Sequence, residues 1–368
     1  MNKLLLALLL FLLSFSWIKV TASDSCPESF PWKAQWINTE RCQSATNTWL
    51  IYRKSFAVTN VPNQLIARIA ADSKYWLWIN DQLVIFEGGL KRGPSPSGTY
   101  YDPVDIAPYL TKGSNTIAIL LWHFGKDGFS HINSGKAALL FEAIAPGLEI
   151  VSDASWQCAL YEAYQNTEAP FPNYRMPESN IRFDARQAIT NWNRTSFEGS
   201  LPGAVCVGKA GKAPFGDLVE RPIPQWKNSG LLSYVSVRES LRGDTLFCRL
   251  PYNAQITPYL KVEAEAGKTI HIRMDNYEGG SERNVRAEYI TREGEQEYES
   301  YGWMNGHEVY YIIPEGVKVL DVKYRETGYN TDLAGSFHCD DPFYDELWQR
   351  SARTLYITMR DNYMDCPD

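Results

Sequence analysis

Tyr75-Trp76-Leu77-Trp78-Ile79-Asn80-Asp81 is followed, after Gln82, by Leu83-Val84-Ile85-Phe86 and, after Glu87, by Gly88-Gly89. Five aromatic or β-branched-rich residues, a turn pair and a second apolar run describe a β-hairpin. Asn-Asp suits the turn because both residues tolerate positive φ. The text on either side has the same character. Trp49 to Phe56 is a strand, and Gln64 to Ala71 (QLIARIAA) alternates apolar and polar, the period of a half-buried strand. Thr116 to Trp122 and Ala137 to Ala143 close the unit. Short strands with turn signals about every 8–12 residues indicate an antiparallel β-sandwich.

Further along, residues 146–222 are irregular, with a Pro-rich stretch from Pro170 to Pro177 and a flexible Gly208 to Gly216. Pro222-Ile223-Pro224 is the expected boundary to a second sandwich. There, Leu232 to Glu239 and Thr245 to Leu250 read as strands. Tyr259 to Ala264 and Thr269 to Met274 read as a hairpin about Glu265–Lys268, and Glu308 to Ile313 turns through Pro314-Glu315-Gly316 into Val317 to Tyr324. At Asp340-Asp341-Pro342 the period changes. Asp341 can cap a helix and Pro342 suits its first position. Phe343, Leu347, Ala352, Leu355 and Met359 mark an apolar face at helical spacing, to about Arg360.

The chain has 368 residues, room for two or three domains. Its net charge of -7 and lack of any Lys/Arg block argue against a nucleic-acid partner. Trp, Tyr and Phe number 12, 22 and 15. Such rings either stack on sugar faces or fill sandwich cores. Residues 1–22 read as a secretory signal: Lys3, the apolar run Leu4 to Ile18, and Val20-Thr21-Ala22 as cleavage site. The run is short for a membrane span, and no later stretch is long and apolar enough. The expected location is therefore periplasmic or secreted. Seven Cys leave at least one unpaired; Cys26 and Cys42 can bridge, and the others read mostly as small buried hydrophobes.

Chemistry-bearing motifs are few. A Ser nucleophile elbow, a P-loop and a G-x-G-x-x-G after a strand are all missing, so acyl transfer, NTP hydrolysis and dinucleotide chemistry have no support. None of the five His sits at metal-ligand spacing from another, and there is no CxxC. The loop Phe124 to His131 offers Asp127 and His131 as binding groups or an ordinary turn. Arg92, Tyr100, Tyr101 and Asp102 could hold a sugar hydroxyl, and Asp102 a calcium ion, though no second carboxylate lies close in sequence. No cofactor is expected. Asp361 and Asp365, in the closing stretch Met359 to Asp368 (MRDNYMDCPD), are candidate working carboxylates or a solvated helix end.

Arg292 to Ser336 (REGEQEYESYGWMNGHEVYYIIPEGVKVLDVKYRETGYNTDLAGS), with the helix and MRDNYMDCPD after it, resembles the α-L-rhamnosidases of glycoside hydrolase family 78. Tyr75 to Asp81 resembles the strand and turn of that family's N-terminal sandwich. Tyr101 to Leu110 with Gly113 to Ala118 resembles the stretch after it, and Pro258 to Ile272 the second sandwich. Asp365-Cys366-Pro367 after a helix is the most specific piece. The resemblance implies two antiparallel β-sandwiches, galactose-binding-like or jelly-roll in type, ahead of an (α/α)6 barrel that holds the active site. It divides the chain into a signal (1–22), a first sandwich (23–222), a second (223–336) and the opening of a truncated barrel (337–368). It implies an inverting glycosidase acting on rhamnose-containing oligo- or polysaccharide, with Asp365 as a sugar-contacting carboxylate. The family's general acid lies a few residues past this motif and its base far downstream, so catalytic residues are expected to be absent here and the chain inactive. The alternatives are a non-catalytic carbohydrate-binding sandwich and an adhesive or structural one.

Overall fold

A computed structural model describes residues 31–90, 98–128, 131–169, 178–275 and 285–360. The order begins β1 (Gln35–Asn38), β2 (Thr48–Val58), β3 (Ile66–Asp72), β4 (Lys74–Ile79), β5 (Gln82–Gly89), β6 (Thr99–Asp105), β7 (Gly113–His123), β8 (Ala138–Ala145), β9 (Leu148–Val151) and β10 (Gln157–Leu160). It continues with β11 (Tyr164–Asn166), β12 (Ile181–Asp184), β13 (Val205–Lys209) and β14 (Leu218–Glu220). Then come β15 (Leu231–Leu232), β16 (Ser236–Glu239), β17 (Thr245–Ala264), β18 (Thr269–Met274), β19 (Arg286–Ile290), β20 (Gly294–Glu299), β21 (Met304–Ile312) and β22 (Lys318–Glu326). Helix α1 (Pro342–Ile357) follows. No helix among the described residues is long and apolar enough to cross a membrane.

The fold is mainly β, as expected. Among the described residues a seven-stranded sheet orders β13-β1-β8-β3-β6-β14 with β9 on β8, and a five-stranded sheet orders β10-β2-β7-β4-β5. The two close a core of Ile37, Ile69, Leu139 and Phe141 against Leu50, Tyr52, Leu77 and Ile119. The β4–β5 turn is the one expected. Asn80 and Asp81 have φ of 47° and 70°, and Ile79 pairs with Gln82.

The five-stranded sheet is buried on both faces. Successive residues of β2, β4 and β7 go to opposite sides: Leu50, Tyr75 and Leu121 inward to the first sandwich, and Trp49, Trp76 and Trp122 outward into a second core with Phe183, Ile256, Tyr289 and Tyr311. Trp49 stacks on Tyr164 at 3.9 Å and Trp76 on Tyr301 at 4.8 Å. A strand covered on both sides has no polar face to show, which is why all six residues of β4 are buried.

That second core belongs to a ten-stranded sheet ordered β11-β12-β19-β18-β21-β17-β22-β15, with β16 and β20 on β17. Two features differ from the sequence-based expectation. First, β11 and β12, within the irregular 146–222 stretch, join this sheet, with β12 parallel to β19. A second parallel pair, β14 on β6, lies in the seven-stranded sheet. Second, β17 is one 20-residue strand where two were expected, and it does not pair with β18. Its register shifts between Arg249 and Ala254, around Pro251, where a residue without an N–H cannot continue the ladder. Its later half pairs with β20 and β22, while β18 pairs with β19 and β21. Alternation identifies a strand, not its partner.

Candidate functional site at the end of the helix

Helix α1 starts as its sequence dictates. The Asp341 side chain accepts from Phe343 N (3.0 Å) and Pro342 occupies the first turn, where a missing N–H is harmless. The predicted apolar stripe does not meet the β-sheets. Phe343 is 62% exposed, and Leu347 and Leu355 are each 47% exposed. Polar groups hold the helix instead. Arg353 donates through Nε to Asn253 O (2.9 Å), lies 3.9 Å over the Tyr252 ring and faces Glu326. Gln255 Nε2 donates to Ile357 O (2.7 Å).

Just beyond the helix, Arg360 is buried although Asp341 to Met359 are exposed or half-buried. Its guanidinium lies between the Trp226 and Trp303 rings, 4.6 Å from each centroid. Nη1 donates to Gln255 Oε1 (2.7 Å) and Nη2 to Glu87 Oε1 of β5. Lys74 Nζ, also fully buried, pairs with the same Glu87 oxygen at 2.7 Å and with Glu178 at 3.4 Å. Burial pushes the Glu87 carboxyl up, but Arg360 and then Lys74 outweigh it and hold it below its ordinary value. Three parts of the chain therefore meet on one guanidinium: the hairpin through Glu87, the strand β17 through Gln255, and the helix end that carries Arg360. A cleft lined by Trp122, Glu178, Asn180, Ser300, Trp303 and Met304 lies alongside, with a volume of about 20 Å³. That is room for about one water, not a pyranose ring.

Asp365, the predicted sugar contact, lies outside the described residues, as do Asp361, Cys26 and Arg92. Asp102 is described and has other work. It accepts from Tyr75 OH (2.8 Å) and Gly89 N (2.9 Å) and pairs with Arg221 Nε (3.0 Å), at 1% exposure. These partners engage both oxygens and give Asp102 a structural role. Tyr101 leans on Glu220 at the surface. Asp127 accepts from Asn133 N (2.7 Å), an ordinary loop closure.

His131 is buried against Phe124, its Nε2 3.5 Å from Ser73 Oγ. It shares a cluster that sequence spacing does not show. Asp72 accepts from Ser73 Oγ (2.8 Å) and Ser134 N (3.0 Å) and lies 3.2 Å from His123 Nδ1. Burial works to raise the Asp72 carboxyl, but the His123 hydrogen bond and the His123 and His131 charges bring it below its usual range. Ser73 is fully buried and its Oγ also accepts from Phe124 N (3.2 Å), so this is a structural clasp and not a nucleophile. Cys158 and Cys248 are buried as expected; Cys206 is exposed. It lies on β13, the edge strand that pairs with β1.

Sequence reading missed Lys74, Glu87, Gln255, Trp226 and Trp303. A signal was present for two of them. Glu87 interrupts the apolar run Leu83 to Phe86, and Lys74 precedes Tyr75 to Ile79; a lone charge beside a buried strand calls for a partner.

No family model matches the chain, and no curated protein sequence matches it. Solved structures do. A family 78 rhamnosidase of Bacillus sp. GL1 superposes with a TM-score of 0.80 at 18% identity, over 92% of this chain and 59% of its own. The α-L-rhamnosidase from Dictyoglumus thermophilum gives 0.68 at 19% identity, over 92% of this chain and 40% of its own. That from Aspergillus terreus gives 0.65 at 19%, over 90% and 41%. The chain thus spans between two-fifths and three-fifths of the length of these structures. What this likeness establishes is architecture: over nine-tenths of its length the chain has the fold of glycoside hydrolase family 78 α-L-rhamnosidases.

Proposed function

We propose that this chain is the sandwich portion of an exported α-L-rhamnosidase-like glycoside hydrolase acting on rhamnose-containing glycans with inversion. The observation that carries the reading is the superposition at TM-score 0.80 over 92% of the chain. Two features support it. Asp365-Cys366-Pro367 stands shortly after α1, at the place where the resemblance puts a sugar-contacting carboxylate. And α1 leaves Phe343, Leu347 and Leu355 uncovered, the face a first barrel helix would turn to its neighbours. A free-standing carbohydrate-binding sandwich has no use for such a face.

An inverting glycosidase needs a carboxylic acid to protonate the leaving oxygen and a carboxylate to activate water across the ring. The resemblance places both past Asp365, outside the two sandwiches. The sandwiches would then support the site and supply no acid or base, and the chain by itself would be inactive. Export rests on the signal-like residues 1–22.

The test is twofold. An aryl α-L-rhamnoside incubated with the 368-residue chain is expected to release no aglycone; release above the Asp365→Ala control overturns the inactive reading. Calorimetric titration with L-rhamnose is expected to show weak binding lost in Asp365→Ala. Equal binding by both proteins removes Asp365 from the site, and a preference for an unrelated sugar overturns the substrate class.

A further inference from the structure

We propose that Glu87 is a positioning residue: acting through Arg360, it fixes the direction in which the chain leaves helix α1. Where this bears on sugar binding it rests on the reading above, since Asp365 follows Arg360 by five residues.

Several observations converge. Glu87 is fully buried with φ of 63°, a conformation that disfavours a residue with a Cβ. Gly88 and Gly89 stand beside it, so a glycine at this position would be the easier choice for the backbone. What Glu87 adds is its carboxylate, and that carboxylate meets Arg360, 273 positions away. Arg360 is equally unusual. Phe343, Leu347 and Leu355 of α1 are exposed, whereas the charged side chain just past the helix is buried.

A buried ion pair contributes little net stability over an apolar pair of the same size, because desolvation offsets the attraction. Its worth here is geometric. The guanidinium is planar and its donors are fixed in a fork. Nη1 is committed to Gln255 on β17, Nη2 to Glu87 on β5, and the two faces to Trp226 and Trp303. Gln255 in turn holds Ile357 O, the last carbonyl of the helix. Rotation of the guanidinium would break several of these contacts together, so the backbone at residue 360 is oriented from two sheets at once.

The variants are Arg360→Met and Arg360→Lys in the 368-residue chain. Both leave the Lys74–Glu87 pair in place, so the first sandwich keeps its internal ion pair. Hydrogen exchange is read at the Thr358 and Met359 amides, which bond to Thr354 O and Tyr356 O, and at Trp76 to Ile79 in β4. Exchange at Thr358 and Met359 is expected to rise about tenfold or more in both variants, with β4 unchanged. Unchanged exchange at the helix end overturns the proposal. So does a parallel rise in β4, which would make the contact a general stabiliser. An Arg360→Lys protein that exchanges like the parent also overturns it, since a point charge would then do the work of the fork. Glu87→Gln must reproduce the local loosening; if it does not fold, Lys74→Met/Glu87→Gln, which leaves no unpaired charge at β4 and β5, takes its place. L-Rhamnose titration separates the two readings: a parent that does not bind refutes the sugar site, while the exchange data still decide the role of Glu87.

Discussion

Replacing Asp102 by Asn tests whether this carboxylate is structural or a ligand group. The change is isosteric, so no cavity forms, and one oxygen remains to accept from Tyr75 OH or Gly89 N. What is lost is the charge opposite Arg221, whose Nε stands 3.0 Å away with side chains 3% and 1% exposed. Breaking one side of a buried pair costs about 3–5 kcal/mol. Arg221 keeps Gly89 O at 2.6 Å, which places the loss at the lower end, about 3 kcal/mol. With a urea slope of about 3 kcal/mol/M, the unfolding midpoint moves down by about 1 M. A double-mutant cycle with Arg221→Met is expected to return a coupling of about 1.5 kcal/mol or more. A loss below about 1 kcal/mol, in the range of ordinary surface changes, would refute the structural assignment. So would a parent midpoint raised by calcium or rhamnose where that of Asp102→Asn is not, because a ligand held by Asp102 stabilises only the protein that binds it.

Two further outcomes follow from burial and charge. Glu87 and Asp72 have folded-state values below their ordinary 4.5 and 3.8, so their contribution is fully present above that range and lost as pH falls through it; urea midpoints are expected to drop between pH 5 and pH 3 (about the range where carboxylates titrate), and a midpoint flat to about pH 3 contradicts this. Burial, with Glu308 next, pushes the Cys248 thiol from 9.0 up to about 12, leaving about a thousandfold less thiolate than an unperturbed thiol; iodoacetamide followed by peptide mapping is expected to label exposed Cys206 and to spare Cys248 until denaturant is added, and equal labelling would contradict the burial.

Most strands were readable because β-branched and aromatic residues clustered between turn residues. The Asn80-Asp81 turn and the Asp341 cap were readable for the same local reason: each depends on side chains within three residues of the backbone they shape. What was not readable depended on distant partners. Thr245 to Ala264 gave no sign that it would run as one strand through Pro251 and Pro258. The short Ile181–Asp184 segment finds its place only because β19, more than a hundred residues on, presents an open edge. The aromatic surplus had two readings, and Trp36, Trp49, Trp76, Trp78, Trp122, Trp156, Trp192 and Trp226 settle it for themselves by being buried. The candidate site was legible at Asp365 only by resemblance. The Glu87–Arg360 contact joins residues 273 positions apart, and no local pattern encodes that.

The five-stranded sheet serves as a party wall between two rooms. Trp49, Trp76 and Trp122 on one side and Leu50, Tyr75 and Leu121 on the other belong to the same strands. Severing the chain at Pro222 would not yield two self-sufficient halves. The front half would bare a tryptophan-lined surface, and the rear half would lack the β12 neighbour of β19 and expose a row of amides ready to pair with another chain. Such pieces would aggregate unless they found each other, so the two sandwiches have to be made, and kept, as one body.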